Sequence, residues 1–209
     1  RDRLIRNLNV PRGGSVLEIG CGTGRNLEMS TRHYKGARFY GLDISEQMLR
    51  SASAKFTRTR SERVILAQGD AIEFDPVTCF GSSGFDRIYF SYVLSMIPEW
   101  KSALLHATTM LNPDGEIHIV DFGPADKFTH WSRSLLWAWL QKFGVQPRLE
   151  LGAAKAPVDL PSHLRWHYEQ LFNSYAAYCV IRFQSTNIKQ ALDGTNALAP
   201  KRGTLPGIY

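Results

Sequence analysis

One short stretch constrains this chain more than any other. Ser15–Ile19 is an apolar, β-branched run that feeds directly into Gly20-Cys21-Gly22-Thr23-Gly24. Glycines at alternate positions let the backbone turn sharply and bring its own atoms against a ligand with no side chain between. A strand that empties into such a loop, with a helical stretch following at Arg25–Tyr34, reads as the opening of a parallel α/β sheet. The pattern then repeats. Ala37–Leu42 is a second strand ending at Asp43, and Ser45 is placed to cap a helix through Met48, Leu49 and Ala52, with Glu46 in its first turn. Val64–Ala67 is a third strand ending near Asp70, Phe85–Phe90 a fourth, Trp100–Leu111 a helix, and Glu116–Val120 a fifth strand ending at Asp121 after the turn signal Asn112–Gly115.

The remainder has a different texture. Phe128–Phe143 reads as an aromatic-rich helix with Trp131, Trp137 and Trp139. Leu164, Trp166 and Tyr168 alternate with polar residues, Asn173-Ser174 marks a turn, and Tyr175–Phe183 is a further apolar run. The last two runs suit an antiparallel hairpin. The expected fold is therefore α/β, a doubly wound seven-stranded sheet that is mostly parallel with a terminal antiparallel hairpin. Residues 1–183 form one domain, and 184–209, polar and rich in Gly, Pro and Thr, read as a loose tail.

Composition narrows the classes. The chain has 209 residues, 44% of them hydrophobic and 21% charged, which excludes a disordered polyelectrolyte. Its longest apolar stretches, Leu135–Leu140 and Tyr175–Ile181, fall far short of the about 20 residues of a membrane span. Three scattered cysteines without a CxxC read as reduced thiols in a cytoplasmic protein, not a disulfide frame or zinc site. A net charge of +6 favours anionic partners, nucleic acid or acidic lipid, without choosing between them.

In an open α/β sheet, ligands bind at the carboxyl ends of the strands beside the first one. There the sequence places the glycine loop, Asp43 and Asp70. The spacing GxGxG differs from the dinucleotide pattern GxGxxG, and no GxxxxGK[ST] is present. A carboxylate at 43 suits ribose hydroxyls and one at 70 suits an adenine amino group, so adenosine without a phosphate fits the set. Asp43 taken alone reads first as a solvated helix cap, and it is the joint arrangement that favours the ribose role.

VLEIGCGTG at 16–24, YGLDIS at 40–45 and LNPDGEIHIVDF at 111–122 resemble the class I S-adenosylmethionine-dependent methyltransferases, over about residues 13–183. The resemblance implies a Rossmann-like sheet and S-adenosyl-L-methionine as cofactor. It implies that Glu18 lies near the cofactor amino group, that Gly20, Cys21 and Gly22 line its methionine and ribose, and that Asp43 holds the ribose. Ile44 would pack on adenine, Asp70 and Ala71 would sit at its edge, and Ser91 would join the cofactor wall. Such enzymes carry helices ahead of the first strand, and Arg1–Asn9 supplies only a short stretch of them, so a covering segment upstream is expected.

The segment after the fourth strand, SYVLSMIPEW at 91–100, lacks the N/D-P-P-Y/F tetrad of enzymes acting on base nitrogens, which argues against a nucleic-acid partner. SYVLSMIP and FGVQPR, at 143–148, give a closer resemblance to the bacterial betaine-lipid N-methyltransferases. That resemblance implies a diacylglyceryl-homoserine headgroup as acceptor, functional coupling to the enzyme that makes it, and peripheral contact with an anionic inner-membrane surface. The tryptophan helix and the positive charge would supply the contact, unless those tryptophans face the core. Asp121, His118 and His130 are candidate proton acceptors or orienters, with Asp121 preferred. Tyr92, with Phe122 or Trp100 as the further ring, would surround the methylammonium, Met96 would line the acceptor, and Arg148 or Arg25 would pair with the homoserine carboxylate. Rival acceptors are a quinone ring carbon or RNA, and an inactive cofactor-binding partner subunit is the remaining class.

Overall fold

The computed structural model describes residues 2–125 except 60, residues 145–184 except 154 and 172–174, and, between 126 and 144, only Thr129, Trp131, Ser134, Trp137, Leu140 and Lys142. The expected tail beyond 184, His130, Trp139 and the Asn173-Ser174 turn lie outside these residues. Of the expected Phe128–Phe143 helix, Trp131, Ser134, Trp137 and Leu140 are helical.

Seven strands form one sheet: β1 (Ser15–Ile19), β2 (Arg38–Asp43), β3 (Val64–Gln68), β4 (Phe85–Ser91), β5 (Leu111–Phe122), β6 (Leu164–Leu171) and β7 (Ala176–Phe183). Their order across the sheet is β3-β2-β1-β4-β5-β7-β6. The first five run parallel, while β7 is antiparallel to both β5 and β6. The chain winds outward from β1 to β3, then restarts on the other side of β1 with β4. The point of reversal leaves a crevice at the carboxyl ends of β1 and β4.

Helices cover both faces. α1 (Asp2–Asn7), α2 (Arg25–His33) and α3 (Glu46–Thr59) lie on one side, and α4 (Pro76–Phe80) and α5 (Trp100–Thr109) on the other. The two-residue period of the strands sorts the core. Along β1, Leu17 and Ile19 join Phe85, Phe90, Trp100 and Leu104 on the α5 side, whereas Val16 joins Leu4, Leu27, Phe39 and Phe56 on the α2 side. Glu18 shares the parity of Val16, so its carboxylate is carried to the α2 face. Both faces of β1 are buried, which is why its sequence shows no clean alternation.

Two elements differ from the sequence expectation. Apolar periodicity offers no helix between β3 and β4, but the local chemistry supplies one. Asp75 accepts from Val77 N and Thr78 N, Pro76 occupies the first turn, and Gly81 ends the helix at φ +65°. β5 begins at Leu111 rather than Glu116, because Leu111 already pairs with Phe85 of β4; Asn112–Gly115 then bulge out of the ladder, with Asp114 at φ +61°, before pairing resumes at Arg87 and Glu116.

His118 lies in the middle of β5, 2% exposed, with Nδ1 2.7 Å from Tyr178 Oη and Nε2 3.1 Å from Glu116 Oε2. Burial holds its pKa below the ordinary 6.5, against the pull of Glu116. Hydrogen bonding from His118 in turn holds Glu116 below its ordinary range. Below about pH 6.5 the unfolded chain binds a proton at His118 that the folded chain resists. Stability from this group is complete above that pH and is lost as pH falls. Denaturation midpoints should therefore decline as pH is lowered from about 7.5 to about 5.5, and His118→Gln should flatten that segment.

Candidate active site

A cleft of about 830 Å³ opens at the reversal point, bounded by the β1–α2 loop, the ends of β2 and β3, and the segment after β4. Its glycine loop is tied to the neighbouring strand, since Gly20 N and Cys21 N both donate to Leu42 O, at 2.8 and 2.9 Å. Gly20 has φ +74°, and a Cβ there would fall 2.3 Å from Val93 Cγ2. Glycine is needed at 20 both for the backbone and for the close approach of the segment after β4. Gly24, at φ +70°, starts α2, where a Cβ would lie 2.8 Å from the Phe56 ring.

Asp43 ends β2 and joins the loop to the next helix. Its Oδ2 accepts from Gly22 N at 2.7 Å and its Oδ1 from Ser45 N at 2.9 Å. Ser45 caps weakly, its Oγ 3.4 Å from Met48 N. Each carboxylate oxygen retains a further lone pair, so these bonds orient Asp43 and leave it able to accept from a diol. Asp70 is held similarly, its Oδ1 accepting from Ile72 N at 3.1 Å, and Ala71 and Ile72 sit beside it in the wall. Ile44 is exposed in the opposite wall, next to Met48.

Beneath the loop Glu18 is buried, with Oε1 accepting from Asn26 Nδ2 at 2.7 Å and Oε2 from Tyr89 Oη at 3.0 Å. Asn26 and Ser91 both line the cleft at 6% exposure, and Asn26 Oδ1 and Ser91 Oγ have no hydrogen-bond partner among the described residues. A buried polar atom left unpaired costs about 1–3 kcal/mol, so both await a polar ligand. A carboxylate, an amide oxygen and a hydroxyl at one end, with a diol-accepting carboxylate at the other, fit the amino acid and ribose of S-adenosylmethionine. The Cys21 thiol also faces the cleft. Burial, with Glu18 and Asp43 nearby, raises its pKa far above the ordinary value, so it stays protonated and is no nucleophile.

All the expected cofactor residues, Glu18, Gly20, Cys21, Gly22, Asp43, Ile44, Asp70, Ala71 and Ser91, line this one cleft. On the acceptor side Tyr92 and Met96 line it too, with Val93, Ile97, Pro98 and Glu99. Four residues expected near the acceptor stand elsewhere. His118 is turned away from the cleft, onto Tyr178 and Glu116. Asp121 is fully buried, its oxygens taken by Ser95 N and Phe122 N. Arg148 donates to Leu94 O and Ile97 O and so does not face a substrate carboxylate, whereas Arg25 does line the cleft. Phe122 stands behind Tyr92, ring centroids 5.0 Å apart, and also meets Tyr175 edge-on at 5.8 Å. Val93 falls in the 91–100 stretch, whereas the sequence reading singles out neither Asn26 nor Tyr89. Asn26 had a signal, lying two residues into the helix that follows the loop, but Tyr89 reaches Glu18 only through the β1–β4 register.

The described residues contain no group of three metal-ligating side chains and no helix long and apolar enough to cross a membrane.

Residues 17–117 match the methyltransferase-domain family. The chain is 26% identical over 129 residues to demethylmenaquinone methyltransferase of Bacillus licheniformis, covering 61% of this chain and 53% of that protein. It is 32% identical over 128 residues to phosphatidylethanolamine N-methyltransferase of Cereibacter sphaeroides, covering 61% and 59%. The chain thus spans little more than half the length of these curated relatives. Among solved structures, phosphoethanolamine N-methyltransferase 2 of Haemonchus contortus, in complex with S-adenosyl-L-methionine, superposes with a TM-score of 0.59 at 20% identity, over 70% of this chain and 32% of that one. An S-adenosylmethionine-dependent methyltransferase from Aquifex aeolicus superposes at 0.57 with 14% identity, over 87% of both chains. The reversed sheet is thus the fold of these solved methyltransferases, residues 17–117 match the methyltransferase-domain family, and the cleft between the glycine loop and Asp43 suits S-adenosylmethionine.

Proposed function

We propose that this chain methylates the amine of a lipid headgroup, and specifically converts diacylglyceryl-homoserine to its trimethylated betaine lipid. The observation that carries this reading is the acceptor wall of the cleft. Tyr92 stands there in a left-handed backbone conformation, φ +56°, backed by the Phe122 and Tyr175 rings, with Met96, Ile97 and Pro98 beside it and the carboxylate of Glu99 at the rim. A bulky residue at positive φ carries strain of about 1–3 kcal/mol, a cost that concentrates at working sites. An aromatic face with a nearby carboxylate suits an amine that becomes a cation as it is methylated. The phosphatidylethanolamine N-methyltransferase relative supports an amine on a lipid, and the SYVLSMIP and FGVQPR segments support the homoserine headgroup.

In the proposed reaction the neutral amine attacks the sulfonium methyl in line. The new N–C bond forms as the S–C bond breaks, and the sulfonium leaves as a thioether. One proton leaves before each of three transfers, and the open mouth beside Glu99 is its path to water. The protein's contribution is alignment of donor and acceptor. Arg25, on the cleft wall, replaces Arg148 as the group for the homoserine carboxylate. Contact with an anionic membrane would use the net charge of +6 and the apolar side chains left outside, among them Trp131 at 72% exposure. Under this reading the enzyme that makes diacylglyceryl-homoserine acts immediately before.

A quinone acceptor is the second reading, favoured by the demethylmenaquinone methyltransferase relatives. Labelled S-adenosylmethionine offered with diacylglyceryl-homoserine micelles, a demethylated quinone, phosphatidylethanolamine or RNA separates the two. Three successive methyl additions to the homoserine lipid are expected, and methylation of the quinone alone would overturn the proposal. Asp43→Ala should weaken cofactor binding about 10–100-fold by calorimetry, the loss of a hydrogen bond to a charged group. Tyr92→Phe should retain acceptor turnover, and Tyr92→Leu should lower kcat/KM about 3–30-fold through loss of the cation–π face.

A further inference from the structure

The turn after β4 carries the side chains that meet the acceptor, yet it cannot hold its own shape. Met96 N and Ile97 N return to Val93 O at 2.9 and 3.2 Å, which makes residues 93–97 a single helical turn. One turn is too short to sustain itself, because nucleation costs more than its few hydrogen bonds return. It also ends in unsatisfied N–H groups on one side and carbonyls on the other.

Two charged side chains outside the cleft meet those ends. Asp121 Oδ2 accepts from Ser95 N at 3.0 Å, while its Oδ1 is fixed by Phe122 N at 2.7 Å. Arg148 Nε donates to Leu94 O at 3.2 Å and its Nη2 to Ile97 O at 2.6 Å. An anion at the N–H end and a cation at the carbonyl end both complement the turn's dipole. Backbone bonds reinforce the same seams, from Tyr92 N to Val120 O at 2.7 Å and from Gln146 N to Ser95 O at 2.8 Å. Arg148 is itself anchored by the 3-10 turn Leu149–Gly152. Leu151 N returns to Arg148 O at 3.0 Å, and Leu151, buried in the core, accepts at its carbonyl from Cys179 Sγ at 3.3 Å.

We propose that Asp121 and Arg148 are positioning residues that clamp the 93–97 turn from its two ends and thereby set the acceptor wall against the glycine loop. They act through the turn's backbone and touch neither reactant. Val93 packs on Gly20 from this turn, and Met96 and Ile97 line the cleft, so slack in the turn becomes misalignment of acceptor and methyl. A misplacement of about 1 Å costs about 100-fold in rate. The proposal requires methyl transfer from S-adenosylmethionine and is independent of which acceptor the protein uses.

The test compares Arg148→Ala, Arg148→Lys and Asp121→Asn with the wild type. The readouts are amide hydrogen exchange, S-adenosylhomocysteine affinity, and steady-state kinetics with the acceptor the wild type methylates. Faster exchange at 93–97, cofactor affinity within about threefold, and kcat lowered about 10–100-fold are expected for Arg148→Ala. Lysine, a single point charge in place of a planar fork, should restore part of that loss. Should Asp121→Asn fail to fold, the Arg148 pair decides alone. Unchanged exchange and kcat in the Arg148 variants would overturn the clamp, as would a loss carried wholly by cofactor affinity. A wild type that ignores the homoserine lipid but methylates another acceptor would overturn the proposed substrate while leaving the clamp measurable.

Discussion

The bond from Gly22 N to Asp43, at 2.7 Å, is the contact on which the rest of the cofactor site depends. It links two loops that leave adjacent parallel strands at the same end of the sheet. The second Asp43 oxygen takes Ser45 N at the start of α3, so one carboxylate sets loop, strand end and helix entry together. Parallel pairing makes this possible. β1 and β2 run in register from Ser15↔Arg38 to Ile19↔Leu42, which brings Gly20 and Asp43 out side by side. An antiparallel neighbour would have delivered residue 43 to the far end.

The same register carries chemistry through the sheet. Glu18 and Tyr89 are partners across β1 and β4, and both project to the α2 face, where Asn26 completes the contact. A buried carboxylate is tolerable when its oxygens are hydrogen-bonded, and here the Asn26 amide and the Tyr89 hydroxyl both donate to Glu18. Glu18 thus places a hydrogen-bonded carboxyl group under the glycine loop, in the lining of the cleft. The positive ends of the loop's N–H groups are meanwhile engaged by Leu42 O and Asp43. In the proposed placement the amino-acid end of the cofactor would meet the Glu18 carboxyl group rather than the positive cradle a phosphate would need, consistent with GxGxG in place of a phosphate-binding loop.

What could be read before folding follows from how local each signal is. Strand ends, the glycine loop, Asp43 and Asp70 are short-range features, and the sheet's parallel rule converts them into neighbours. Tyr89 needed the strand register, and Asn26 needed the direction in which α2 leaves the loop. Asp121 and Arg148 stand out in the sequence but meet backbone and not a ligand, because a charged residue near a site looks the same in sequence in either case. His118 failed for a related reason. On a strand buried on both sides, parity alone does not tell which face holds the ligand, and its face holds Tyr178 and Glu116.

The two halves of the cleft are also unequal in what they reveal about chemistry. The matched domain, 17–117, contains every residue proposed to hold the cofactor and the whole 91–99 wall, but it stops before Asp121 and Arg148. Cofactor recognition is built from backbone and from carboxylates at strand ends, which any member of such a fold can reuse. The 93–97 turn has no such economy: its backbone is held from outside, by Asp121 of β5 and by Arg148 just before the 3-10 turn. Burial raises the pKa of Asp121 while Phe122 and Ser95 hold it down, a balance that a neutral residue would avoid. A carboxylate there makes sense if the turn needs a strong, directional acceptor at its N–H end, since a neutral acceptor gives roughly half the hydrogen-bond strength. Under the proposed clamp, substrate choice would reside in which side chains the turn presents, and fidelity of transfer in how firmly Asp121 and Arg148 hold it.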